Sequence, residues 1–445
     1  MRNIKVDFSK NIGKIKPMHA VNNGPVYKFA EDQRITNIDA FMDAGIPYSR
    51  NHDASFYSTY GGEHTVDVHN IFTDFSADPY APESYDFACT DEYIKVCEYA
   101  GVKTFYRLGS RIEHEVKKYG TLPPPDFKKW AVICEHIIRH YTEGWANGFY
   151  YDIKYWEIWN EPDLDPDDST NKRTWGGTKA QFFELYDITA KHLKKCFPHL
   201  KIGGPSLCGK MAWAEEFLAQ LEAPLDFFSW HRYASYPEKI ALRAKETREM
   251  LDKYGYTETE SILNEWNYVR SFIGDDWLYS LRMEKGLKGA AFIASVMCDS
   301  QMGTVDMLMY YDARPCGMNG MFNTDFVCDK LKGYYPFLMF NELYKLGECV
   351  ASEADEGVHV CAAKNDTEAA VMISCFNDDD ATEPFDLSVD LSEFGGENGA
   401  QIEFYVLDEN HDMELVRKET YYGTRFTPQL NMPNYTSYLI KIKEL

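Results

Sequence analysis

Residues Lys154 to Asn160, with the sequence KYWEIWN, form a short run dominated by apolar side chains, as in a buried β-strand. Helical patterns flank this run at Asp126 to His140 and at Lys179 to Cys196, where apolar residues recur at three- and four-residue spacing. Short strands that alternate with longer helices are typical of β/α units around a parallel sheet. The segment therefore predicts an α/β fold in which a helix follows each strand.

The same alternation continues outward in both directions, from about residue 17 to residue 347. Two more helices are predicted at Lys239 to Tyr254 and at Lys288 to Met302. The candidate strands are Pro17 to Val21, Tyr48 to His52, Lys103 to Leu108, Lys154 to Asn160, Lys201 to Pro205, Phe227 to Tyr233, Ser261 to Glu265 and Asp306 to Tyr311. Eight strands with eight helices match a (β/α)8 TIM barrel, so we predict this α/β fold for residues 14–347.

The pattern changes after Gly347 to short strand-like runs that are separated by clusters of Asp, Asn and Gly. This change predicts a second domain, an all-β sandwich, over residues 348–445. Residues 1–13 have no place in the barrel, and Ile4, Val6 and Phe8 alternate there with polar residues. We expect this segment to add a strand to the sandwich. The sandwich either covers the barrel or helps to assemble subunits. The sequence therefore leaves open whether the protein forms a homo-oligomer.

The net charge of −24 restricts the classes of partner. A strongly negative field repels phosphodiester backbones and anionic lipid surfaces, so we expect neither a nucleic acid nor a membrane as partner. Aromatic residues make up 15% of the chain, with 31 Tyr and 9 Trp. These side chains combine an apolar face with a hydrogen-bonding edge, which suits a sugar ligand.

The cysteines indicate a reducing compartment. There are 11 of them, an odd number, without a CxxC pair, and reduced, mostly buried thiols explain them most simply. The first residues, MRNIKVDFSKNIGKIKPM, lack the apolar run of a signal peptide. The sequence therefore predicts a cytoplasmic location.

Motifs for metals and cofactors are not matched. The acidic run Asp163 to Asp168 has Asp at alternate positions, but the sixth position of an EF-hand would be Asp168 instead of Gly and the twelfth Thr174 instead of Glu. We interpret this run as a solvated loop. The sequence contains neither a P-loop nor a dinucleotide fingerprint nor a Gly-x-Ser-x-Gly elbow. We expect no metal and no cofactor.

A glutamate lies at the carboxyl end of two predicted strands. Glu161 directly follows the fourth strand, and Glu265 is the last residue of the seventh. Active sites of TIM barrels lie at the carboxyl ends of the strands, and these two strands lie nearly opposite each other. Two facing carboxylates suit glycoside hydrolysis, because an acid must protonate the leaving oxygen while an anion attacks the anomeric carbon. We predict that desolvation keeps Glu161 protonated as general acid and that Arg50 supports an ionised Glu265. Ordinary solvent-facing loop carboxylates are the alternative.

Four short motifs lie at predicted strand ends: Trp159 to Pro162, Asn264 to Trp266, Arg50 to His52 and Ser229 to Tyr233. Together they resemble glycoside hydrolase family 39, the β-xylosidase and α-L-iduronidase family of clan A. Trp159 to Pro162 is similar to its acid/base motif, and Asn264 to Trp266 to its nucleophile motif. Arg50 to His52 is similar to its Arg-x-His on strand two, and Ser229 to Tyr233 to its His-x-Tyr on strand six. The resemblance implies a barrel with a β-sandwich and a retaining mechanism.

The resemblance also implies roles for two further residues. Asn160 would bind the sugar 2-hydroxyl, and Tyr233 would donate a hydrogen bond to the nucleophile. Two positions depart from the familiar xylosidases: Arg107 stands where those members tend to carry Glu, and Tyr310 to Asp312 lacks the Trp common across the clan. Because both positions help to shape the sugar pocket, the identity of the sugar stays open.

Further residues at the strand ends are candidates for substrate binding. His52 and His231 could bind substrate, orient a carboxylate or belong to the core, and their place in the proposed cavity favours a functional role. Asp53 could bind a hydroxyl group or cap its loop. Four aromatic residues could form a hydrophobic platform for the sugar ring, or they could belong to the core: Trp159, Trp266, Tyr310 and Tyr311. We favour Trp266 as the platform and include Tyr311 among the substrate-binding residues.

The fourth strand poses a geometric problem. Strict alternation places Asn160 and Glu161 on opposite sides of the strand, so both cannot face one sugar. We therefore predict that this strand end is distorted, by a bulge or an unusual peptide bond.

Together these features predict a retaining glycosidase of the β-xylosidase kind that acts from the ends of short oligosaccharides. An α-L-arabinosidase is the nearest alternative, because the same two carboxylates can serve a sugar of inverted configuration. A non-catalytic carbohydrate-binding barrel is an alternative of another class, weakened because such a protein needs neither carboxylate.

Overall fold

The computed structural model describes residues 1–30, 33–58, 61–324, 328–380, 383–394 and 399–445. The strands are β1 (Arg2–Lys14), β2 (Ala20–Asn22), β3 (Tyr27–Ala30), β4 (Gln33–Thr36), β5 (Tyr48–Arg50), β6 (Ser55–Ser58), β7 (Gly61–Glu63), β8 (Lys103–Leu108), β9 (Tyr155–Ile158), β10 (Lys201–Leu207), β11 (Phe227–His231), β12 (Glu260–Trp266), β13 (Met307–Tyr310), β14 (Glu348–Ala354), β15 (Val358–Lys364), β16 (Glu368–Cys375), β17 (Phe385–Ser392), β18 (Ala400–Leu407), β19 (Asp412–Tyr421), β20 (Arg425–Phe426), β21 (Gln429–Met432) and β22 (Ser437–Glu444). The helices are α1 (Ile38–Asp43), α2 (Val68–Ile71), α3 (Ala88–Tyr99), α4 (Phe127–Glu143), α5 (Lys179–Cys196), α6 (Met211–Gln220), α7 (Pro237–Lys253), α8 (Gly274–Glu284), α9 (Leu287–Met302) and α10 (Tyr335–Leu346).

A closed parallel barrel forms the first part of the molecule, which confirms the predicted fold class. Its strands follow one another in the order β2, β5, β8, β9, β10, β11, β12 and β13. The apolar residues that fill its interior are Ala20, Phe105, Tyr155, Phe227, Ile262, Met307 and Met309. Alternate side chains, such as those of Trp156 and Ile158, pack outward in the core shared with the helices. The interior is therefore packed, and a site can form only at the strand ends.

The observed strands differ from the predicted ones mainly at their ends. The first barrel strand begins at Ala20 instead of Pro17, since the chain turns before it, with the N–H of Met18 bonded to the carbonyl oxygen of Lys16. β9 ends at Ile158 instead of Asn160, and β5 ends at Arg50 instead of His52. At both carboxyl ends the backbone leaves the sheet where polar side chains converge.

A second sheet follows the barrel, with the strand order β19-β18-β22-β16-β15-β14-β1-β17-β20 and β21 beside β17. β1 pairs with β14 in antiparallel and with β17 in parallel orientation, so the first strand of the chain lies in this sheet. Ile4, Val6 and Phe8 enter its core, which is separate from that of the barrel. The sheet contacts the barrel at α9, where Ser374 Oγ donates to the carbonyl oxygen of Ala291 at 3.2 Å.

None of the helices within the described ranges combines the length and the apolar character that crossing a bilayer requires.

Candidate active site

Two buried glutamates face each other at the carboxyl end of the barrel. Glu161 follows β9 and is 8% exposed, and Glu265 lies on β12 and is 6% exposed. One carboxylate oxygen of each and a ring nitrogen of His231 all lie within 4.8 Å of one another. Retaining glycosidases hold their two carboxyl groups about 5 to 5.5 Å apart, which leaves no room for a water between them and the sugar. The arrangement therefore permits direct attack by one of the carboxylates.

The backbone is distorted after β9, as predicted. Trp159 and Glu161 have φ angles of 76° and 48°, in the left-handed region that disfavours residues other than glycine. The N–H of Glu161 donates to the carbonyl oxygen of Ser206 at 2.8 Å, and Thr174 Oγ1 donates to the carbonyl oxygen of Glu161 at 2.6 Å. With the segment held in this way, Asn160 contacts Arg50 and Glu161 contacts His231, so both side chains lie on the same side at the strand ends.

Arg50 lies at the centre of the site with its side chain fully buried. Each of the five N–H bonds of its guanidinium group has a partner. The acceptors are Glu157 Oε2 at 2.7 Å, Asn22 Oδ1 at 3.1 Å, Glu265 Oε1 at 2.8 Å, Asn160 Oδ1 at 2.7 Å and Ser206 Oγ at 2.9 Å. A planar group bonded in this way cannot turn, so Arg50 fixes the orientation of Glu265 and Asn160.

Glu157 is a third buried carboxylate, and it is absent from the predicted site residues. Besides the bond from Arg50, it accepts hydrogen bonds from Ser229 Oγ at 2.6 Å and from Asn264 Nδ2. Arg50 thus pairs with two buried carboxylates, Glu157 and Glu265. Alternation along β9 could have revealed it, since Tyr155 and Glu157 both point into the barrel. A charged side chain in an inward position requires a partner.

His231 and Tyr233 contact the two carboxylates. His231 Nδ1 lies 2.8 Å from Glu161 Oε1 and 3.3 Å from Glu265 Oε2, while its Nε2 lies 2.6 Å from Ser206 Oγ. Burial lowers the pKa of His231 to about 4, so the imidazole is neutral at pH 7. Tyr233 donates from its hydroxyl group to Glu265 Oε2 at 2.9 Å. Of the alternatives for His231, these contacts favour orientation of the carboxylates.

The surroundings of the two glutamates differ. Burial, followed by the negative charge of Asp163, raises the pKa of Glu161 to about 8. Burial also raises the pKa of Glu265, but the positive charge of Arg50 opposes this effect. Glu265 thus has a cation and hydrogen-bond donors that favour its anion, whereas Glu161 has an acidic neighbour that favours the protonated acid.

A second polar group joins the ends of β5 and β13. Asp53 accepts a hydrogen bond from Tyr311 Oη at 2.6 Å, and an Arg314 nitrogen lies 3.6 Å from its carboxylate. Burial alone would raise the pKa of Asp53, but the positive charge of Arg314 and the hydrogen bond from Tyr311 lower it below its usual value. His52 is buried, and burial lowers its pKa well below the usual value. Asp53 is thus a fixed acceptor that a sugar hydroxyl could share with Tyr311.

The expectation for Trp266 is corrected by the structure. Its side chain is 0% exposed and packs against Tyr310 and Phe292, with ring centroids 5.4 and 6.4 Å away. Because Glu265 points into the barrel, the next residue on the strand points outward to α9. Trp266 therefore belongs to the core and cannot form a platform for a sugar.

An aromatic side chain at the edge of the cavity is Phe272, which the sequence did not single out. It is 55% exposed, and its ring stands edge-on to Tyr233 at a centroid distance of 5.3 Å. Phe272 follows β12 within a loop whose sequence has no periodic pattern, so no local signal marked it. An exposed ring beside the hydrogen-bond donor of Glu265 is available for stacking on a substrate.

A parallel eight-stranded barrel whose carboxyl end holds two buried, adjacent carboxylates defines a class of protein, that of the (β/α)8-barrel glycoside hydrolases. Residues 54–274 match the family described as glycosyl hydrolases family 39, and this segment contains Glu161, His231 and Glu265. The chain belongs to that family, as the resemblance of its motifs implied.

Two curated relatives are β-xylosidases. That of Geobacillus stearothermophilus is 30% identical over 168 residues, which cover 35% of this chain and 30% of the relative. That of Caldicellulosiruptor saccharolyticus is 28% identical over 179 residues, covering 37% of this chain and 34% of the relative. The chain thus aligns with about a third of the length of these relatives.

Solved structures share the fold over the whole chain. A glucosidase from Croceicoccus marinus has a TM-score of 0.80 at 22% identity, covering 100% of this chain and 99% of its own. A monomeric β-xylosidase from Caulobacter crescentus CB15 has a TM-score of 0.73 at 17% identity, covering 100% of both chains. An α-L-arabinofuranosidase from Thermotoga maritima has a TM-score of 0.70 at 13% identity, covering 100% of both chains. At these identities the likeness shows the fold alone.

Proposed function

We propose that this protein is a retaining glycoside hydrolase that releases β-xylose units from the ends of short oligosaccharides. The observation that supports this most strongly is the contact between Glu161, His231 and Glu265 within 4.8 Å, at the carboxyl end of the barrel. The names of the two curated relatives, both β-xylosidases, support the choice of sugar. The odd number of cysteines supports a cytoplasmic location, where thiols stay reduced.

In the first step, Glu265 attacks the anomeric carbon and Glu161 protonates the glycosidic oxygen as the bond to the leaving group breaks. Arg50 and Tyr233 hold the attacking carboxylate by one oxygen each, at 2.8 and 2.9 Å. Glu161 starts protonated because its pKa of about 8 lies above neutral pH. The products are a glycosyl ester on Glu265 and the free alcohol.

In the second step, Glu161, now an anion, takes a proton from a water molecule that attacks the same anomeric carbon. The ester bond breaks, Glu265 returns as a carboxylate, and the sugar leaves with its original configuration. Asn160, which accepts a hydrogen bond from Arg50 at 2.7 Å, would bind the 2-hydroxyl group. Asp53 and Tyr311 would bind another hydroxyl of the same sugar.

A panel of aryl glycosides tests the substrate. We expect release of phenol from the β-xyloside to exceed release from the α-L-arabinoside, β-galactoside, β-glucoside and β-glucuronide. Faster release from the α-L-arabinoside would favour the arabinosidase alternative, and no release from any sugar would favour a binding protein. NMR of the first-formed anomer tests the mechanism, since inversion would exclude Glu265 as nucleophile.

Azide rescue distinguishes the two glutamates. Glu265→Ala should regain turnover with azide and give a glycosyl azide of inverted configuration, whereas Glu161→Ala should give one of retained configuration. Exchanged results would reverse the assigned roles. Glu157→Ala is the matched control, because this buried carboxylate has no access to the anomeric carbon in the proposed mechanism and should give no azide product.

A further inference from the structure

A group of potential metal ligands lies between α4 and α5, outside the proposed active site. Glu135 projects from α4, and His192 and Cys196 project from α5. One ligand atom of each residue lies within 4.8 Å of the other two. A spacing of four residues places His192 and Cys196 on the same helix face, one turn apart. Two helices thus direct an imidazole, a thiol and a carboxylate at one point.

The distances between the ligand atoms are close to those that a tetrahedral ion imposes. Glu135 Oε2 lies 2.6 Å from His192 Nε2, and Cys196 Sγ lies 3.9 Å from the same nitrogen. Bonds of about 2.0 to 2.3 Å to zinc separate tetrahedral ligands by about 3.3 to 3.6 Å. The distance from Glu135 to His192 would lengthen by about 0.7 Å and that from His192 to Cys196 would shorten by about 0.4 Å, and the His192 side chain is partly exposed.

The neighbouring Arg139 contacts the carboxylate oxygen of Glu135 that does not face His192. Its Nε donates to this oxygen, Oε1, at 2.8 Å, and its Nη1 donates to Glu143. A hydrogen bond to the non-ligating oxygen is the usual way in which the surroundings orient a carboxylate ligand. The positive charge of Arg139 opposes a cation nearby, and the carboxylates of Glu135 and Glu143 offset it.

We propose that Glu135, His192 and Cys196 bind one divalent zinc ion, with water as the fourth ligand. Nitrogen, sulfur and oxygen donors in a tetrahedral set favour zinc over magnesium or calcium, which require oxygen donors. On binding, the Cys196 thiol loses its proton to solvent and forms a sulfur–zinc bond. Cys196 ends α5 shortly before β10 begins at Lys201, so the site lies toward the amino-terminal end of the barrel, away from Glu161 and Glu265. The ion would link two helices of the barrel's outer layer and stabilise them without taking part in the reaction.

Cobalt(II) titration of the full, metal-free chain tests this proposal, because a thiolate bound to Co²⁺ gives a charge-transfer band in the near ultraviolet. We expect the band to saturate at one equivalent and to disappear when Zn²⁺ is added. Cys196→Ser should abolish the band and His192→Ala should weaken Co²⁺ binding at least tenfold. Cys89→Ser is the matched control, since Cys89 is an exposed cysteine on α3 and its loss should leave the band unchanged.

Thermal unfolding provides the second readout. Zn²⁺ should raise the Tm of the wild-type chain and of Cys89→Ser, but not that of Cys196→Ser, while kcat/KM on the best aryl glycoside stays unchanged. The cluster of Glu161, His231 and Glu265 could also attract a cation, but it contains no thiol. A band that survives Cys196→Ser, or no band at all, would overturn the proposal. If Cys196→Ser does not fold, the His192→Ala titration decides.

Discussion

At the scale of single residues, the chemistry depends on how two similar carboxylates are made different. Both are buried, but Asp163 lies near Glu161, whereas Arg50 and Tyr233 contact Glu265. Charges and donors in the immediate surroundings thus separate an acid from an anion. Each of the two carboxylates can be tested through one of its neighbours.

For Glu161, the test is the alkaline limb of the pH profile. In the proposed mechanism Glu161 must be protonated to act as acid, so kcat/KM should fall as the pH rises through about 8. Asp163→Asn removes a negative charge that raises this pKa, and the limb should therefore move to lower pH. Asp168→Asn, in the same acidic loop, is the control and should leave the limb in place. An unchanged limb in Asp163→Asn would contradict the role given to Asp163.

For Glu265, the test is the hydrogen bond from Tyr233. Tyr233→Phe removes the donor but keeps the ring. A hydrogen bond to a charged group contributes about 1.5 to 3 kcal/mol, so kcat/KM should fall by about 10- to 100-fold. Steady-state kinetics on an aryl glycoside measure this loss, and thermal unfolding verifies that the variant is folded. Full activity in a folded variant would show that Arg50 alone positions the nucleophile.

At the scale of elements, the end of β9 decides which side chains enter the site. A regular strand would have turned Asn160 and Glu161 to opposite faces, and the left-handed φ angles of Trp159 and Glu161 avoid this. The adjacent end of β8 leaves space for the distortion. A Cβ atom on Gly109 would lie 3.1 Å from Trp159 Cα, and Gly109 itself has a φ of 137°.

Gly109→Ala tests this relation between neighbouring strand ends. The added methyl group should strain Gly109 and displace Trp159, lowering the free energy of unfolding by about 2 kcal/mol and reducing kcat/KM at least tenfold. Gly101→Ala is the control, because Gly101 has a φ of 72° but no atom within 4 Å of the place that a methyl group would occupy. The free energy of unfolding of Gly101→Ala should fall by about 1 kcal/mol, and its activity should be unchanged. Equal activities of both variants would contradict the proposed coupling.

At the scale of the whole molecule, the second sheet is attached to the barrel near the loop that follows Glu265. Asp378, from the sheet domain, accepts hydrogen bonds from Arg270 Nε at 2.8 Å and from the Tyr268 hydroxyl group. Lys288, at the start of α9, is 3% exposed and lies 2.8 Å from the carboxylate of Asp378. One carboxylate thus connects three side chains of the barrel to the other domain.

Asp378→Ala should destabilise this interface. It removes one of the two anions, Asp378 and Asp380, that Lys288 and Arg270 contact, so the free energy of unfolding should fall by about 1.5 to 3 kcal/mol, the value of a hydrogen bond to a charged group. Calorimetry should then resolve separate transitions for the two domains. Asp366→Ala removes an exposed carboxylate of the same domain and should leave a single transition. If both variants unfold in the same way, Asp378 does not stabilise the domain interface more than an exposed carboxylate does.

The pH dependence of this interface has a defined sign. Burial alone would raise the pKa of Asp378, but hydrogen bonds from Arg270 and Lys288 lower it below its usual value. Its contribution to stability is therefore complete above the unfolded pKa of about 4 and is lost as the pH falls through the lower folded pKa. Between these values, wild-type stability should decline more steeply than that of Asp378→Ala.

The sequence by itself determined the alternation of strands and helices, the change of pattern at Gly347 and the two strand ends that carry Glu161 and Glu265. These features are local, because periodicity and motif spacing record which residues face inward on a single element. Alternation could also have placed Glu157 inside the barrel and Trp266 outside it.

Only the tertiary structure decided which side chains meet. The contacts of Arg50 with Glu157, Asn160 and Glu265 join residues more than 100 positions apart, and no periodic pattern encodes such distances. The same holds for Phe272 at the cavity and for Asp378 at the domain interface. Closure of the barrel brings its strand ends together, and the pKa values and orientations of the two glutamates depend on this convergence of charge and burial.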